Sequence, residues 1–134
     1  MKYLLDSNVL SEWWKPKPAP QVVAWIESAD WLIPAPVIAE IQEGAEADAS
    51  EARKVRINFR LDSFIRDFEG LVLAWDAETA RTWGRLRHSS EVKRKPQPLW
   101  DSLIDAMAVR HGAAVATRNA ADFRHAEIFN PWDF

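Results

Sequence analysis

Short apolar runs alternate with amphipathic stretches along the whole chain. Tyr3-Leu4-Leu5 is one such run and ends at Asp6; Trp31-Leu32-Ile33, Leu71-Val72-Leu73-Ala74 and Ala114-Val115-Ala116 repeat the pattern. Brief apolar runs bounded by turn signals predict short buried strands, and Ile128-Phe129 is a candidate fifth. The stretches between them predict helices. Asp6 or Ser7 caps a short helix through Trp14. Pro20 to Ala29 places Val22, Val23, Trp25 and Ile26 on one apolar side, and Pro36 to Ala47 is rich in Ala and Glu. Ser50 to Glu69 carries Ile57, Leu61, Phe64, Ile65 and Phe68 at i, i+4, i+7, i+8 and i+11, and Gly70 stops it. Asp76 caps a helix running to about His88. Trp100 to His111 has the clearest stripe, through Trp100, Leu103, Ile104, Met107 and Ala108, with Gly112 as its C-cap. Two proline clusters, Pro16-Pro18-Pro20 and Pro96-Pro98, mark loops that enter helices.

Short strands alternating with helices predict an α/β fold, with a parallel sheet of four to five strands covered on both faces. In such sheets the working residues gather beyond the carboxyl ends of the strands. Asp6 stands at that end of the first strand, and Thr117, Arg118 and Asn119 stand at that end of the fourth. The 134 residues fit one domain, 1–134, with no internal repeat or linker.

Composition narrows the chemistry. The 48% hydrophobic content supports a real core. The chain has no cysteine, which excludes disulfide frameworks, thiol catalysis, Cys-ligated zinc and iron–sulfur clusters. Four glycines, with no G-x-G and no Walker lysine loop, exclude the usual nucleotide fingerprints. His88, His111 and His125 have no ligand spacing. No apolar run is long enough to span a bilayer, and the N-terminus lacks a signal-peptide h-region; a cytoplasmic protein that avoids membranes is expected.

Four acids stand out by position: Asp6 after the first strand, Glu40 in an apolar stretch of the helix after the second, Asp101 at the start of the best helix, and Asp122 after the fourth strand. Each has a plainer reading on its own. Asp6 can be a helix cap, Glu40 a solvated helix residue, Asp101 a dipole partner and Asp122 a turn residue. Together they converge if the sheet is wound as above. Two carboxylates about 5 Å apart repel by roughly 3 kcal/mol at an effective dielectric of about 20. A hard divalent cation offsets that cost, taking oxygen ligands and keeping waters for a phosphate substrate.

The motifs carry a family resemblance. Leu4-Leu5-Asp6-Ser7-Asn8-Val9-Leu10-Ser11-Glu12 resembles the opening of PIN domains of the VapC/FitB toxin type, with Ser7 where Thr is usual. Ala39-Glu40-Ile41 with Gly44 is similar to the second acidic motif. Asp101-Ser102-Leu103-Ile104-Asp105-Ala106 resembles the Asp-x-Leu-Ile-Ala-Ala helix, and Thr117-Arg118-Asn119-Ala120-Ala121-Asp122-Phe123 with Asn130-Pro131-Trp132 resembles the C-terminal signature. The set spans nearly the whole chain in order. The resemblance implies a three-layer PIN-like fold and a metal-dependent endoribonuclease that is the toxin of a type II toxin–antitoxin pair. It implies Mg2+ or Mn2+ as cofactor. Asp6, Glu40, Asp101 and Asp122 would be the catalytic acids, with Asp6, Asp101 and Asp122 holding the metal. Ser7 and Asn119 would support them by hydrogen bonds. Asp105 falls where the family often has alanine, and reads either as a fifth, peripheral acid or as a solvated one. The implied partners are RNA, a cognate antitoxin protein and a second copy of the chain, with a dimer of toxin–antitoxin heterodimers as a further arrangement.

Charge is polarised. Glu40 to Glu51 holds five acids and no base, whereas Arg81 to Lys95 holds six bases and one acid. Arg81, Arg85, Lys93, Arg94 and Lys95 are candidate RNA contacts, since a basic rim suits a phosphate backbone; a solvated helix end explains each alone. Adjacent Trp13 and Trp14 cannot both face one core, so one is expected at the surface as a partner contact. Two other functions fit parts of the pattern. A haloacid dehalogenase-type phosphatase also has Asp after its first strand but needs a second Asp two residues on, where this chain has Asn8. A non-catalytic PIN-like binding module needs no acids, and all four are present.

Overall fold

The structure is a computed structural model describing residues 1–134. Five strands form one parallel sheet: β1 (Lys2–Leu5), β2 (Asp30–Pro34), β3 (Val72–Leu73), β4 (Ala114–Ala116) and β5 (Ile128–Phe129). Their order is β3-β2-β1-β4-β5, so the chain winds outward from β1 in both directions. Leu4 pairs with Leu32 on one side and Val115 on the other. Seven helices flank the sheet: α1 (Ser7–Trp13), α2 (Pro20–Ser28), α3 (Ala35–Ala47), α4 (Glu51–Asp67), α5 (Ala77–Leu86), α6 (Ser90–Arg94) and α7 (Leu99–His111). The sheet is as expected, although β3 keeps only Val72 and Leu73 of its apolar run.

The core follows from the pattern. Leu4, Leu5, Val9, Leu10, Val22, Ile33, Val37, Ile104, Met107 and Val115 are fully buried. At about 1.5–3 kcal/mol per buried large aliphatic side chain, this block is the main source of stability. Pro20 opens α2, Pro98 precedes α7 as its N-cap, and Ser50 caps α4 by accepting from the Arg53 N–H. Buried Glu12 accepts from the Ala19 N–H at 3.0 Å and from Lys15 Nζ at 2.9 Å, tying α1 to the start of α2.

Three expectations change. Both Trp13 and Trp14 are half-buried: Trp13 packs edge-on to Trp31 at 5.8 Å and Trp14 meets Phe64 at 6.1 Å. The aromatic cluster curves around the end of α1 and covers both. On α4, Ile65 belongs to the predicted stripe but is 40% exposed, and Val55 and Phe59 also face solvent. The charged stretch before Pro96 folds into α6, whose Ser89 cap accepts from the Val92 N–H.

Candidate active site

β1 lies between β2 and β4, where the winding direction reverses, and the region past the carboxyl ends of these strands is where such sheets carry their sites. Asp6 leaves β1 at this point. It caps α1, its Oδ1 accepting from the Ser7 N–H at 2.8 Å. Its Oδ2 accepts from Thr117 Oγ1 at 2.7 Å and Asn8 Nδ2 at 3.3 Å. Thr117 is fully buried at the end of β4, and its hydroxyl also accepts from Asn8 Nδ2 and the Asn119 N–H. Burial pushes the Asp6 carboxyl above its ordinary pKa, against the pull of the Thr117 and Ser7 bonds.

The other three acids come to the same place. Glu40 points from α3, Asp101 from the first turn of α7, and Asp122 from the 3-10 turn Ala120–Asp122 after β4. Asp101 is pushed up to about 7, first by burial and then by the charges of Asp6, Asp122 and Glu40. Glu40 is raised by burial, with Asp6 and Glu43 adding to it and the Ser7 side chain opposing it. Glu40 Oε1 is buried without a hydrogen-bond partner. A set of hard oxygens that includes one orphaned carboxylate oxygen fits a divalent cation. No three acids close into a ready-made cation cage. Mg2+ needs no complete cage, since it keeps several of its waters and takes only part of its shell from protein carboxylates.

The remaining candidates sort differently. Ser7 adjoins both Asp6 and Glu40. Asn119 supports Thr117 through its backbone N–H, while its side chain makes no bond to the acids. Asp105 does not join the cluster. It is buried, and its oxygens accept from Gln97 Nε2, His125 Nδ1 and the N–H groups of Arg124, His125 and Ala126. It is therefore neither a peripheral site acid nor solvated: a residue one turn along from Asp101 on α7 faces the loop after β4, which donates to it. Arg81, Arg85, Lys93, Arg94 and Lys95 are all exposed and none forms an ion pair. Arg124 ties the basic strap to the Asp122 loop, donating to Lys95 O at 3.0 Å and to the Ala121 carbonyl.

The sequence reading missed two roles. Thr117 and Asn8 are the side chains that hold Asp6, and the signal was present: a hydroxyl at the carboxyl end of the strand pairing with β1. It also missed a cavity of about 490 Å³ lined by Trp14, Ile41 and Ile57 together with Lys15, Arg53, Arg56 and Arg60. Arg53, Arg56 and Arg60 are spaced i, i+3, i+7 on α4, which puts them on one face.

Comparison with known proteins bears on this geometry. Residues 3–128 match the PIN domain family. The chain is 33% identical to Toxin FitB of Neisseria gonorrhoeae, covering 96% of this chain and 97% of that protein. It is 33% identical to the VapC ribonuclease Y4jK of Sinorhizobium fredii, covering 97% of each. Among solved structures, FitAcB from Neisseria gonorrhoeae superposes with a TM-score of 0.82 at 32% identity, over 98% of this chain and 99% of that one. FitAB bound to an IR36 DNA fragment gives a TM-score of 0.79 at 32% identity, over 97% and 95%. The four-acid cluster, the parallel sheet and a match over almost the entire length place the chain in the PIN-domain family, among relatives of the FitB and VapC type.

Proposed function

We propose that this protein is a metal-dependent endoribonuclease and the toxin of a type II toxin–antitoxin pair. The observation that carries the reading is the convergence of Asp6, Glu40, Asp101 and Asp122 at the switch point of a PIN-domain sheet. A fold that crowds four carboxylates, three with raised pKa values, has a use for the charge that offsets them. Asp6, Asp101 and Asp122 would hold Mg2+ or Mn2+, with Glu40 beside them. The ion supplies Lewis acidity and charge neutralisation for phosphodiester hydrolysis. The chain's own residues do the rest. Thr117, Asn8 and the Ser7 N–H fix Asp6 in one orientation. Asp101, raised to about 7 by burial and by the neighbouring acids, shares its site between proton and cation near neutral pH. The exposed strap Lys93-Arg94-Lys95, tied to the Asp122 loop through Arg124, and exposed Arg81 and Arg85 on α5 would supply cations for an RNA backbone.

The antitoxin belongs to the same proposal. Lys15 and Arg53 already pair with Glu12 and Asp48, but the apolar floor of the 490 Å³ cavity and the guanidinium groups of Arg56 and Arg60 suit a partner segment with an apolar face and an acidic flank. Exposed Val55 and Phe59, one turn apart on α4, offer a patch for a second protein chain, the antitoxin or a second copy in a homodimer. No helix is long and apolar enough to cross a membrane, and an RNA substrate would suit a cytoplasmic location. The phosphatase alternative lacks its second acid: the position is Asn8, whose amide donates to Asp6 and Thr117.

The test is RNA cleavage by purified protein with Mg2+, Mn2+ or chelator. Asp6→Asn and Asp101→Asn should each reduce cleavage to background while melting cooperatively. Asn keeps the shape but loses the charge a divalent ion needs. Near-normal cleavage by either variant at saturating metal would sink the assignment. Co-expression with the product of the neighbouring open reading frame should relieve growth arrest and co-purify as a complex.

A further inference from the structure

Something must hold Asp122 in place. Its carboxylate faces Asp6 and Asp101, which repel it, and its own side chain makes no hydrogen bond to the protein. The segment from Asn119 to Glu127 has only one 3-10 turn of regular structure. Like charges at close range push such a loop outward. The restraint comes from the other side of the loop. The buried Asp105 carboxylate accepts from the Ala126 N–H at 2.8 Å, the His125 N–H at 3.2 Å and the Arg124 N–H at 3.3 Å. His125 Nδ1 adds a bond at 2.9 Å. Gln97 Nε2 donates at 3.1 Å both to Asp105 Oδ2 and to the backbone carbonyl of Asp122.

We infer that Asp105 is a positioning residue for Asp122, acting through Gln97 and the backbone of residues 124–126. This rests on the nuclease reading above. A buried carboxylate satisfied by several N–H donors is a rigid anchor, because losing it strands each donor. Asp101 and Asp105 lie one turn apart on α7, so the helix that carries one site acid also carries the anchor that sets the distance to another. His125 Nδ1 faces the Asp105 carboxylate at 2.9 Å, and Nε2 on the other side of the ring meets the Ser89 hydroxyl at 2.9 Å. Ser89 Oγ also caps α6, so the Asp105–His125–Ser89 chain ties the loop to the basic strap.

The experiment compares Gln97→Leu and Asp105→Asn, alone and with Asp122→Asn. Gln97→Leu removes the bridge to Asp122 and leaves the amide donors of residues 124–126 their carboxylate. Asp105→Asn turns an amide toward a ring of donors. Mn2+ affinity is read by titration calorimetry, cleavage by kcat and KM, and loop order by amide hydrogen exchange. Gln97→Leu should weaken Mn2+ binding and lower kcat by about tenfold, the usual scale for a ligand's supporting partner. KM for RNA should stay within about twofold, since the basic residues are untouched. In the Asp122→Asn background the same change should cost no Mn2+ affinity. Full affinity and kcat in Gln97→Leu, or an equal loss of affinity without Asp122, overturns the assignment. Asp105→Asn should speed exchange at Arg124, His125 and Ala126 while β4 stays protected. If wild type neither binds Mn2+ nor cuts RNA, the nuclease reading fails by itself. Exchange then decides: unchanged protection in folded Asp105→Asn overturns the anchor, and faster exchange confined to 122–126 sustains it.

Discussion

At the scale of single residues, the site depends on how Asp6 is held. The Thr117 hydroxyl donates to Asp6 Oδ2 and accepts from Asn8 and from the Asn119 N–H, so one buried oxygen joins β1, α1 and the loop after β4. Thr117→Val keeps the shape and removes all three bonds. It should cost about 1–3 kcal/mol in denaturant unfolding, because two donors and one acceptor lose a buried partner. Cleavage should fall by about ten- to a hundredfold, the range for a ligand's supporting partner. Thr117→Ser should keep most of both; a fully active valine variant would remove the hydroxyl from the mechanism. Asp6, Asp101 and Asp122 were legible because each stands near an element boundary, and Glu40 because it is an acid within an apolar stretch of α3. The roles of Asn8, Thr117 and Asp105 were not. A hydrogen bond between residues more than a hundred positions apart leaves no local period, and Asp105 looks like its neighbour Asp101 until the loop that donates to it is in place.

At the scale of elements, periodicity found the strands and the long helices and failed where burial is two-sided. The stripe on α7 predicts one buried face. The helix instead packs on β1 and β4 and also against α3 and α5, so Ser102, Asp105 and Ala106 are buried with Ile104 and Met107. α6 escaped because five residues with a single buried side chain, Val92, show no apolar period. The end of α7 was readable from one residue. Gly112 has φ +63°, a conformation that costs an L side chain about 1–2 kcal/mol. A Cβ there would meet nothing within 4 Å, so backbone conformation is the only penalty. Gly112→Ala should therefore lower unfolding stability by about 1 kcal/mol, with cleavage per folded molecule unchanged. A loss several times larger would mean that the α7–β4 turn repacks.

At the scale of the whole molecule, the chain couples folding to protons and metal through the same carboxylates. Its net charge of −3 is small, but the acids of the site are concentrated where burial raises their pKa values. The sign follows from proton binding. Between the ordinary Asp value near 4 and the folded value of about 7, the native state keeps a proton on Asp101 that the unfolded chain has lost. Stability contributed by this group therefore falls as pH rises across that window, and levels off above it. Below the unfolded value both states are protonated and the penalty vanishes. Because solvent reaches Asp101, the cost is on the order of 1–2 kcal/mol, well under what the full shift would give in a dry site. A divalent cation should cancel it, adding about 1.4 kcal/mol for each tenfold excess over its dissociation constant. The gain should shrink toward about pH 5.5, where protons compete for the same oxygens. Thermal melting of wild type and Asp101→Asn, at about pH 5.5 and 7.5 with chelator or Mn2+, measures each part. The Asn variant should melt at or above the wild-type temperature at the higher pH without metal, and gain less from Mn2+. A wild-type melting temperature indifferent to millimolar Mn2+ would remove the metal from the site, and an equal shift in the variant would move it away from Asp101.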